Sequence, residues 1–248
     1  MPGDGGTTAE VALVTGGSRG IGAAVTAALA GRGHRVAIAY SRDRAAAAEA
    51  AAETGCLAVR ADVTDPAQVD ALFHEVGEHF GSDVQILVNC AGLLSDALVG
   101  EMTTAQWQTA LDVNLTGPFL CSSRAAAGMA AARWGRIVTV GSAAGVLGSA
   151  GQTNYAAAKA GLVGLTRSLA RELAPHTTCN VVAPGPVDTA MINHLTDKRR
   201  RQLADMIPFK RFGTVTEVAS AIAFLCSREA GFITGALLPV DGGMSMGH

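Results

Sequence analysis

Aromatic and charged side chains are scarce in this chain of 248 residues. Phe, Trp and Tyr make up 4% of it and charged residues 16%, whereas 49% of its residues are hydrophobic. A chain with so few charges and so much apolar content is not a disordered polyelectrolyte. The 19 basic and 21 acidic side chains leave a net charge of -2, which provides no general attraction to nucleic acid. We therefore expect a folded protein that does not bind nucleic acid.

Long apolar runs and paired cysteines are missing as well. No run approaches the roughly 18 consecutive apolar residues of a membrane span. The glycine-rich, acidic stretch Met1–Glu10 is unlike the basic and then apolar start of a signal peptide. The five cysteines are widely separated, without CxxC or Cys/His spacing: Cys56, Cys90, Cys121, Cys179 and Cys226. These absences predict a cytoplasmic protein without a membrane partner, a metal or disulfides, whose thiols are buried.

Short apolar runs alternate with longer helical stretches almost from end to end. The runs are Val11–Thr15, Arg35–Tyr40, Leu57–Ala61, Ile86–Asn89, Arg136–Gly141, Cys179–Ala183 and Ala236–Val240. They lack polar alternation, as strands buried on both faces do. Alternating strands and helices imply parallel strands with right-handed crossovers. The sequence therefore predicts an α/β fold: a Rossmann-type, doubly wound three-layer sandwich with a seven-stranded parallel sheet.

The alternative architecture is a (β/α)8 barrel, which has a similar length. A barrel needs eight strand–helix repeats, and the sequence offers seven strands. No internal repeat, low-complexity linker or change of composition marks a second domain, so we expect residues 1–248 to form one domain. Asp65-Pro66 and Thr103-Thr104 are typical helix starts, and the second precedes a long helical segment that runs to Arg133.

A glycine-rich segment, Gly16-Gly17-Ser18-Arg19-Gly20-Ile21-Gly22, follows the first predicted strand and precedes an alanine-rich helix. Glycine permits a tight turn and lets phosphate oxygens approach the backbone. The start of the next helix offers N–H groups and a positive dipole end to an anion. The spacing is G-x-x-x-G-x-G rather than G-x-G-x-x-G, so the dinucleotide interpretation depends on the order strand, loop, helix. A glycine-rich turn without a ligand is the alternative.

The end of the second predicted strand indicates which dinucleotide is bound. NAD-selective folds usually place an acidic residue there, whereas an arginine accommodates the 2′-phosphate of NADPH. The strand ends at Tyr40-Ser41-Arg42, and Asp43 is better placed to cap the next helix. Arg19 adds a second cation on the same side. We therefore predict NADPH as the cofactor, with NADH as the alternative.

Further motifs follow in order along nearly the whole chain. After Thr15-Gly16 and Gly20-Ile21-Gly22 come Asp62-Val63, Asn89-Cys90-Ala91-Gly92, Asn114, Ser142, Tyr155, Lys159, Pro184-Gly185 and Thr189. Each is weak alone, but the ordered set resembles the short-chain dehydrogenase/reductase family. Cys90 departs from the family's Asn-Asn-Ala-Gly.

The resemblance implies a role for each of these positions. Asp62 is expected at the adenine amino group, and Lys159 at the nicotinamide ribose. Asn114, Ser142, Tyr155 and Lys159 match the family's catalytic four, in which Asn114 supports a water that relays protons to the lysine. The expected cofactor-binding residues are Gly16, Ser18, Arg19, Gly20, Ile21, Gly22, Ser41, Arg42, Asp62, Val63, Asn89, Ala91, Gly92, Tyr155, Lys159, Pro184, Gly185, Val187 and Thr189.

Tyr155 and Lys159 lie four residues apart on a predicted helix, so their side chains leave the same face. Reduction of a ketone leaves negative charge on its oxygen, where a positioned group must donate a proton. A phenol has a pKa of about 10, and we expect the nearby ammonium to lower the pKa of Tyr155. Ser142 follows the fifth predicted strand and can hold the substrate carbonyl.

Within the family, the chain is most similar to 3-oxoacyl-acyl-carrier-protein reductases. The similar stretches are Gly151–Gly161, Cys179–Gly185 and Phe232–Gly243. This implies an NADPH-dependent homotetramer that reduces a 3-oxoacyl thioester, carried by acyl carrier protein or by coenzyme A, in fatty-acid or polyketide synthesis. A reductase of a free ketone, quinone, sugar or steroid is the alternative. A non-catalytic nucleotide-binding regulator would not need Ser142, Tyr155 and Lys159.

The resemblance places a substrate lid around residues 186–212. Seven apolar side chains there suit an acyl chain: Met191, Ile192, Leu195, Met206, Ile207, Phe209 and Phe212. The basic run Lys198–Arg201, with Lys210 and Arg211, could meet an acidic carrier protein or a phosphopantetheine phosphate, or it could be a solvated helix face. Arg133 matches one carrier-docking arginine of these reductases, and His176 replaces the second.

Overall fold

Seven parallel strands form one sheet in the order β3-β2-β1-β4-β5-β6-β7 within residues 9–192 and 196–247, which the computed structural model describes. The strands are β1 (Val11–Thr15), β2 (Arg35–Tyr40), β3 (Leu57–Arg60), β4 (Ile86–Asn89), β5 (Gly135–Val140), β6 (Thr177–Pro184) and β7 (Leu237–Val240). All seven predicted strands are confirmed. The sheet is open, with β3 and β7 at its edges, so the barrel alternative is wrong.

Nine α-helices connect the strands within the described ranges. They are α1 (Gly20–Ala30), α2 (Arg44–Thr54), α3 (Pro66–Phe80), α4 (Thr104–Leu111), α5 (Gly117–Ala132), α6 (Ala144–Leu147), α7 (Thr153–Glu172), α8 (Asp197–Met206) and α9 (Val215–Leu225). Asp65 caps α3 ahead of Pro66, and Thr103 caps α4 in a reciprocal pair with Gln106. Both predicted helix starts are confirmed.

The core has two halves, one on each face of the sheet. Along β1, Ala12 and Val14 pack into one cluster with side chains of α1, α2 and α9, whereas Val11 and Leu13 pack into the other with α3, α5 and α7. Successive side chains of a strand point to opposite faces, so a strand covered on both faces is apolar throughout. This explains why the predicted strands lack polar alternation.

The long helical segment predicted from Thr103 to Arg133 is interrupted. A turn of π-helix, Asp112–Thr116, separates α4 from α5 and carries the fully buried Asn114 at its centre. The Asn114 amide donates hydrogen bonds to the carbonyls of Ala110 (2.9 Å) and Leu93 (3.0 Å). Such turns occur frequently at functional sites. Here the wider turn brings a polar side chain against the loop that follows β4.

Four of the five cysteines are buried free thiols, as the sequence predicts, but Cys90 is only partly buried. Burial raises the pKa of Cys121, Cys179 and Cys226 to about 12, so these thiols stay protonated at neutral pH. Within the described part of the chain, no helix is both long and apolar enough to cross a membrane.

Thr15 joins the end of β1 to the turn after β4. Its hydroxyl oxygen accepts hydrogen bonds from the backbone N–H groups of Cys90 and Ala91, each at 3.1 Å. The N–H of the next residue, Gly16, donates to the Ala39 carbonyl at 2.8 Å. These hydrogen bonds fix the carboxyl ends of β1, β2 and β4 relative to one another. They lie where the strand order of the sheet reverses, between β1 and β4.

We expect Thr15→Val to lower the free energy of unfolding by about 1–3 kcal/mol, because two backbone N–H groups lose their acceptor while the shape of the side chain is kept. Urea unfolding measures this change. Thr15→Ser keeps the oxygen and is the matched control, with a smaller loss. A stable Thr15→Val protein beside a destabilised Thr15→Ser protein would show that the methyl group, not the hydrogen bonds, stabilises this junction.

Candidate active site

One cleft of about 900 Å³ runs along the carboxyl ends of the strands. It lies where the strand order reverses between β1 and β4, which is where open α/β sheets bind ligands. All the predicted cofactor-binding residues except Asn89 line it: Gly16, Ser18, Arg19, Gly20, Ile21, Gly22, Ser41, Arg42, Asp62, Val63, Ala91, Gly92, Tyr155, Lys159, Pro184, Gly185, Val187 and Thr189. The fold therefore brings residues as far apart in sequence as Gly16 and Thr189 to one surface.

The glycine-rich loop is folded so tightly that Gly16 and Gly22 leave no room for a side chain. Gly16 has a φ of +65°, and a Cβ on Gly22 would lie 2.1 Å from the Gly16 carbonyl oxygen. Helix α1 begins at Gly20, and no side chain caps its first turn within the described residues. Its N–H groups are therefore available to an anion, and the cradle fits the diphosphate of a dinucleotide.

Two arginines lie at the far end of this cradle, beside the end of β2. Arg19 forms an ion pair with Asp43 (Nη1 to Oδ2, 3.1 Å), while the other oxygen of Asp43 accepts the N–H of Ala46 and caps α2. The predicted cap is confirmed, and the ion pair was not foreseen. Arg42 and Ser41 are exposed and line the same part of the cleft. The local charge is therefore positive, although Asp43 neutralises one arginine.

Asn89 and Asn114 do not line the cleft. Asn89 is buried beneath it, where its amide donates to the hydroxyls of Ser122 (3.1 Å) and Thr139 (3.3 Å). The Asn89 side chain turns into the sheet, so it is placed to support the turn after β4 from beneath. Asn114 lies behind Gly92, where an added Cβ would be 3.0 Å from the side-chain amide oxygen Oδ1 of Asn114 and 3.8 Å from the ammonium of Lys159.

Ser142, Tyr155 and Lys159 meet in the middle of the cleft. Ser142 follows β5, and its hydroxyl, which accepts the backbone N–H of Ala144 at 3.1 Å, lines the cleft together with the Tyr155 phenol. Lys159 lies one turn further along α7, with its ammonium 5.5 Å from the centre of the Tyr155 ring. The ammonium is buried and donates to the Val140 carbonyl at 2.8 Å. The three predicted groups are thus neighbours, held by one strand end and one helix face.

Burial controls the protonation of this pair. It lowers the pKa of Lys159 to about 8, an effect that Cys90 partly offsets. Burial also raises the pKa of Tyr155 above its ordinary value, while the neighbouring Ser142 hydroxyl acts in the opposite direction. The expected lowering of the pKa of Tyr155 by Lys159 is therefore wrong for this structure. The ammonium lies against the face of the ring, so desolvation dominates.

At neutral pH this arrangement presents a neutral phenol and a serine hydroxyl side by side. Both can donate to one oxygen atom placed in the cleft, and such donors stabilise the charge that develops when a carbonyl is reduced. Lys159 remains largely protonated below pH 8 and can supply the phenol with a proton after it has given one up. The site is thus suited to protonating an alkoxide.

The apolar residues of the predicted lid differ in their surroundings. Ile192 lines the cleft, but Ile207 is buried in the interior, Met206 and Phe209 are mostly exposed, and Phe212 lies under the guanidinium of Arg200. The side chain of Met191 and all of Leu195 lie outside the described residues. The described apolar residues of this segment therefore do not all line the cleft.

Several residues of the cleft escaped the sequence interpretation. Leu203 of α8 lines it, as do Leu147, Asp96 and Gln152, the last two joined by a hydrogen bond of 3.0 Å. Arg199, which belongs to the predicted basic run, lines the cleft as well. The spacing of four between Arg199 and Leu203 is the signal that could have identified them, since such residues share a helix face.

Arg133 and His176 lie elsewhere. They precede β5 and β6, at the amino ends of strands whose carboxyl ends form the cleft, and the N–H of Gly135 donates to the His176 carbonyl at 3.1 Å. Neither residue lines the cleft.

Comparison with known proteins identifies the family. A family model described as "Enoyl-(Acyl carrier protein) reductase" matches residues 16–245. The chain belongs to the short-chain dehydrogenase/reductase family. It is 46% identical over 237 residues to the 3-oxoacyl-[acyl-carrier-protein] reductase MabA of Mycobacterium avium, covering 95% of this chain and 90% of that protein. It is 43% identical over 239 residues to the 3-oxoacyl-[acyl-carrier-protein] reductase FabG of Escherichia coli (strain K12), covering 96% and 98%.

As a short-chain dehydrogenase/reductase, the protein is an oxidoreductase with a nicotinamide cofactor. Its Rossmann-type sheet is the one the sequence predicts, and the cradle of Gly16, Gly20 and Gly22 is where the residues fit a dinucleotide.

We expect Gly22→Ala to raise the dissociation constant of the cofactor at least about tenfold, equivalent to 1.4 kcal/mol. The added methyl group meets the Gly16 carbonyl oxygen at 2.1 Å, so the loop must open. Titration with NADPH and NADH by fluorescence measures the effect. Gly77→Ala in α3, where no atom lies within 4 Å of the new Cβ, is the matched control. Unchanged binding in a folded Gly22→Ala protein would contradict the cradle.

Proposed function

We propose that this short-chain reductase uses NADPH to reduce a 3-oxoacyl thioester to the 3-hydroxyacyl thioester, with Tyr155 as proton donor. The observation that carries the proposal is the grouping in one cleft of the Tyr155 phenol, the Ser142 hydroxyl and the buried ammonium of Lys159, which lies 5.5 Å from the centre of the Tyr155 ring. The names of the relatives support the substrate class, since MabA and FabG are 3-oxoacyl-[acyl-carrier-protein] reductases.

A nicotinamide bound in the cleft would supply the hydride that reduces the carbonyl carbon. Ser142 and Tyr155 hold the carbonyl oxygen, and the Tyr155 phenol gives it the proton that completes the alcohol. Lys159 then stabilises the phenolate and returns a proton to it. Asn114 lies close behind Gly92 and Lys159, which fits a role in supporting the path of that proton.

Three side chains support NADPH over NADH. Arg42 and Ser41 are exposed where the second strand ends, and Arg19 lies across the same end of the cleft. A 2′-phosphate would compete with Asp43 for the Arg19 guanidinium, since both are anions. Within the cleft as described, Asp43 is paired twice over, as helix cap and as partner of Arg19, so it is poorly disposed to hold a ribose hydroxyl.

The family model's description raises enoyl reduction as a second candidate. Reduction of a carbon–carbon double bond ends in a proton on carbon, whereas the paired hydroxyls of Ser142 and Tyr155 are suited to an oxygen. NADPH oxidation measured with acetoacetyl and crotonyl thioesters of N-acetylcysteamine distinguishes the two reactions. We expect turnover of the acetoacetyl compound, and a preference for NADPH over NADH in the same assay. Turnover of the crotonyl compound alone, or of free ketones alone, would overturn the proposal.

The proposed partner is an acyl carrier protein or coenzyme A that delivers the thioester, and the proposed assembly is a homotetramer. Phe119 on α5 is half exposed, which fits a surface covered by a second subunit. A molecular mass of one chain in light scattering at micromolar concentration would contradict the tetramer.

We expect Tyr155→Phe to reduce kcat for the acetoacetyl thioester about 100-fold or more, the usual effect of removing a general acid. Binding of NADPH should change little, because the ring and Lys159 are kept. Steady-state kinetics and cofactor titration measure both quantities. Tyr40→Phe is the matched control, since Tyr40 is the chain's other tyrosine, and it should retain kcat. Near-normal turnover by Tyr155→Phe would remove Tyr155 as the donor.

A further inference from the structure

The lid carries six cationic side chains, and three of them are already engaged. Arg200 is paired with Asp188, the Arg211 guanidinium holds both oxygens of Glu217, and the Lys210 ammonium donates to the Asp205 carbonyl at 2.6 Å. These contacts tie the lid to itself and to α9. The other three cations are Lys198, Arg199 and Arg201.

Of these three, Arg199 lines the cleft, and it is exposed at its rim. Leu203, one turn further along α8, lines the cleft too, so this face of the helix is the one turned toward the site. Lys198 and Arg201 are exposed and do not line the cleft. Within residues 9–192 and 196–247, no carboxylate forms an ion pair with Arg199.

The cofactor's phosphates do not account for Arg199. The diphosphate cradle is made by the loop between β1 and α1, and Arg19 and Arg42 stand where the 2′-phosphate is proposed to lie. Arg199 instead belongs to the lid, next to the half-buried Leu203 and Ile192. A ligand that binds at Tyr155 therefore shares the cleft with these apolar side chains and with the exposed Arg199.

We propose that Arg199 binds the 4′-phosphate of the pantetheine arm that carries the acyl group. A guanidinium at the rim can hold a phosphate through two hydrogen bonds while the uncharged pantetheine lies against the apolar wall. The inference rests on the proposed function, because only a thioester substrate brings such an arm.

Two substrates that differ only by the phosphate test this assignment: acetoacetyl-pantetheine and acetoacetyl-4′-phosphopantetheine. The measured quantity is the ratio of their kcat/KM values, the phosphate preference. We expect Arg199→Ala to reduce this preference about five- to tenfold, as loss of a charged hydrogen bond at an exposed site does. Arg199→Lys should restore part of it. Arg201→Ala removes the same charge from the outer side of α8 and should leave the preference unchanged.

The other outcomes overturn the assignment. An equal loss for Arg199→Ala and Arg201→Ala would indicate general attraction by the basic helix, without a specific contact. If Arg199→Ala lowers kcat/KM for acetoacetyl-CoA but not for acetoacetyl-4′-phosphopantetheine, Arg199 contacts the phosphates of the adenosine part of coenzyme A instead. A rise in the KM for NADPH with the phosphate preference unchanged would assign Arg199 to the cofactor. Because acetoacetyl-pantetheine carries no phosphate, its turnover tests the proposed function separately.

Discussion

Lys159 holds its ammonium in the protein interior, against the face of the Tyr155 ring and in hydrogen-bond contact with the Val140 carbonyl. Removing these groups from water disfavours their charged forms, which lowers the pKa of the lysine to about 8 and raises that of the tyrosine. The phenol is therefore neutral when a carbonyl arrives, and the ammonium is charged but close to releasing its proton. This balance underlies the proton donation proposed for Tyr155.

The strand ends of the sheet and the helices next to them hold the residues of the site in place. Val140 and Ser142 come from the end of β5, Tyr155 and Lys159 from one face of α7, and Asn114 from the π-helical turn behind Gly92. Thr15 ties the turn after β4 to the end of β1, where the glycine cradle begins. Cofactor site and proton donor thus rest on adjacent strand ends, so that a hydride and a proton can reach one carbonyl.

Local sequence was sufficient for the strands and for most of the cleft. Strands buried on both faces are continuous apolar runs, and helix caps such as Asp65 and Thr103 act within a few residues. Features that depend on packing were missed. The inward turn of Asn89, the pairing of Arg19 with Asp43 and the raised pKa of Tyr155 arise from neighbours distant in sequence or from burial. Composition also does not show which apolar residues of the predicted lid line the cleft: Ile192 does, whereas Ile207 is buried in the interior.

The central claim is that the ligand-free enzyme keeps Tyr155 as a neutral phenol, and the chain's two tyrosines make it directly measurable. In Tyr40→Phe protein labelled with 13Cζ-tyrosine, the single NMR signal reports the protonation of Tyr155 as pH is raised. The phenol should stay protonated through neutral pH and titrate above the ordinary value of about 10. A signal that shifts to the phenolate position between pH 6 and 8, the window where Lys159 is still an ammonium, would contradict the account.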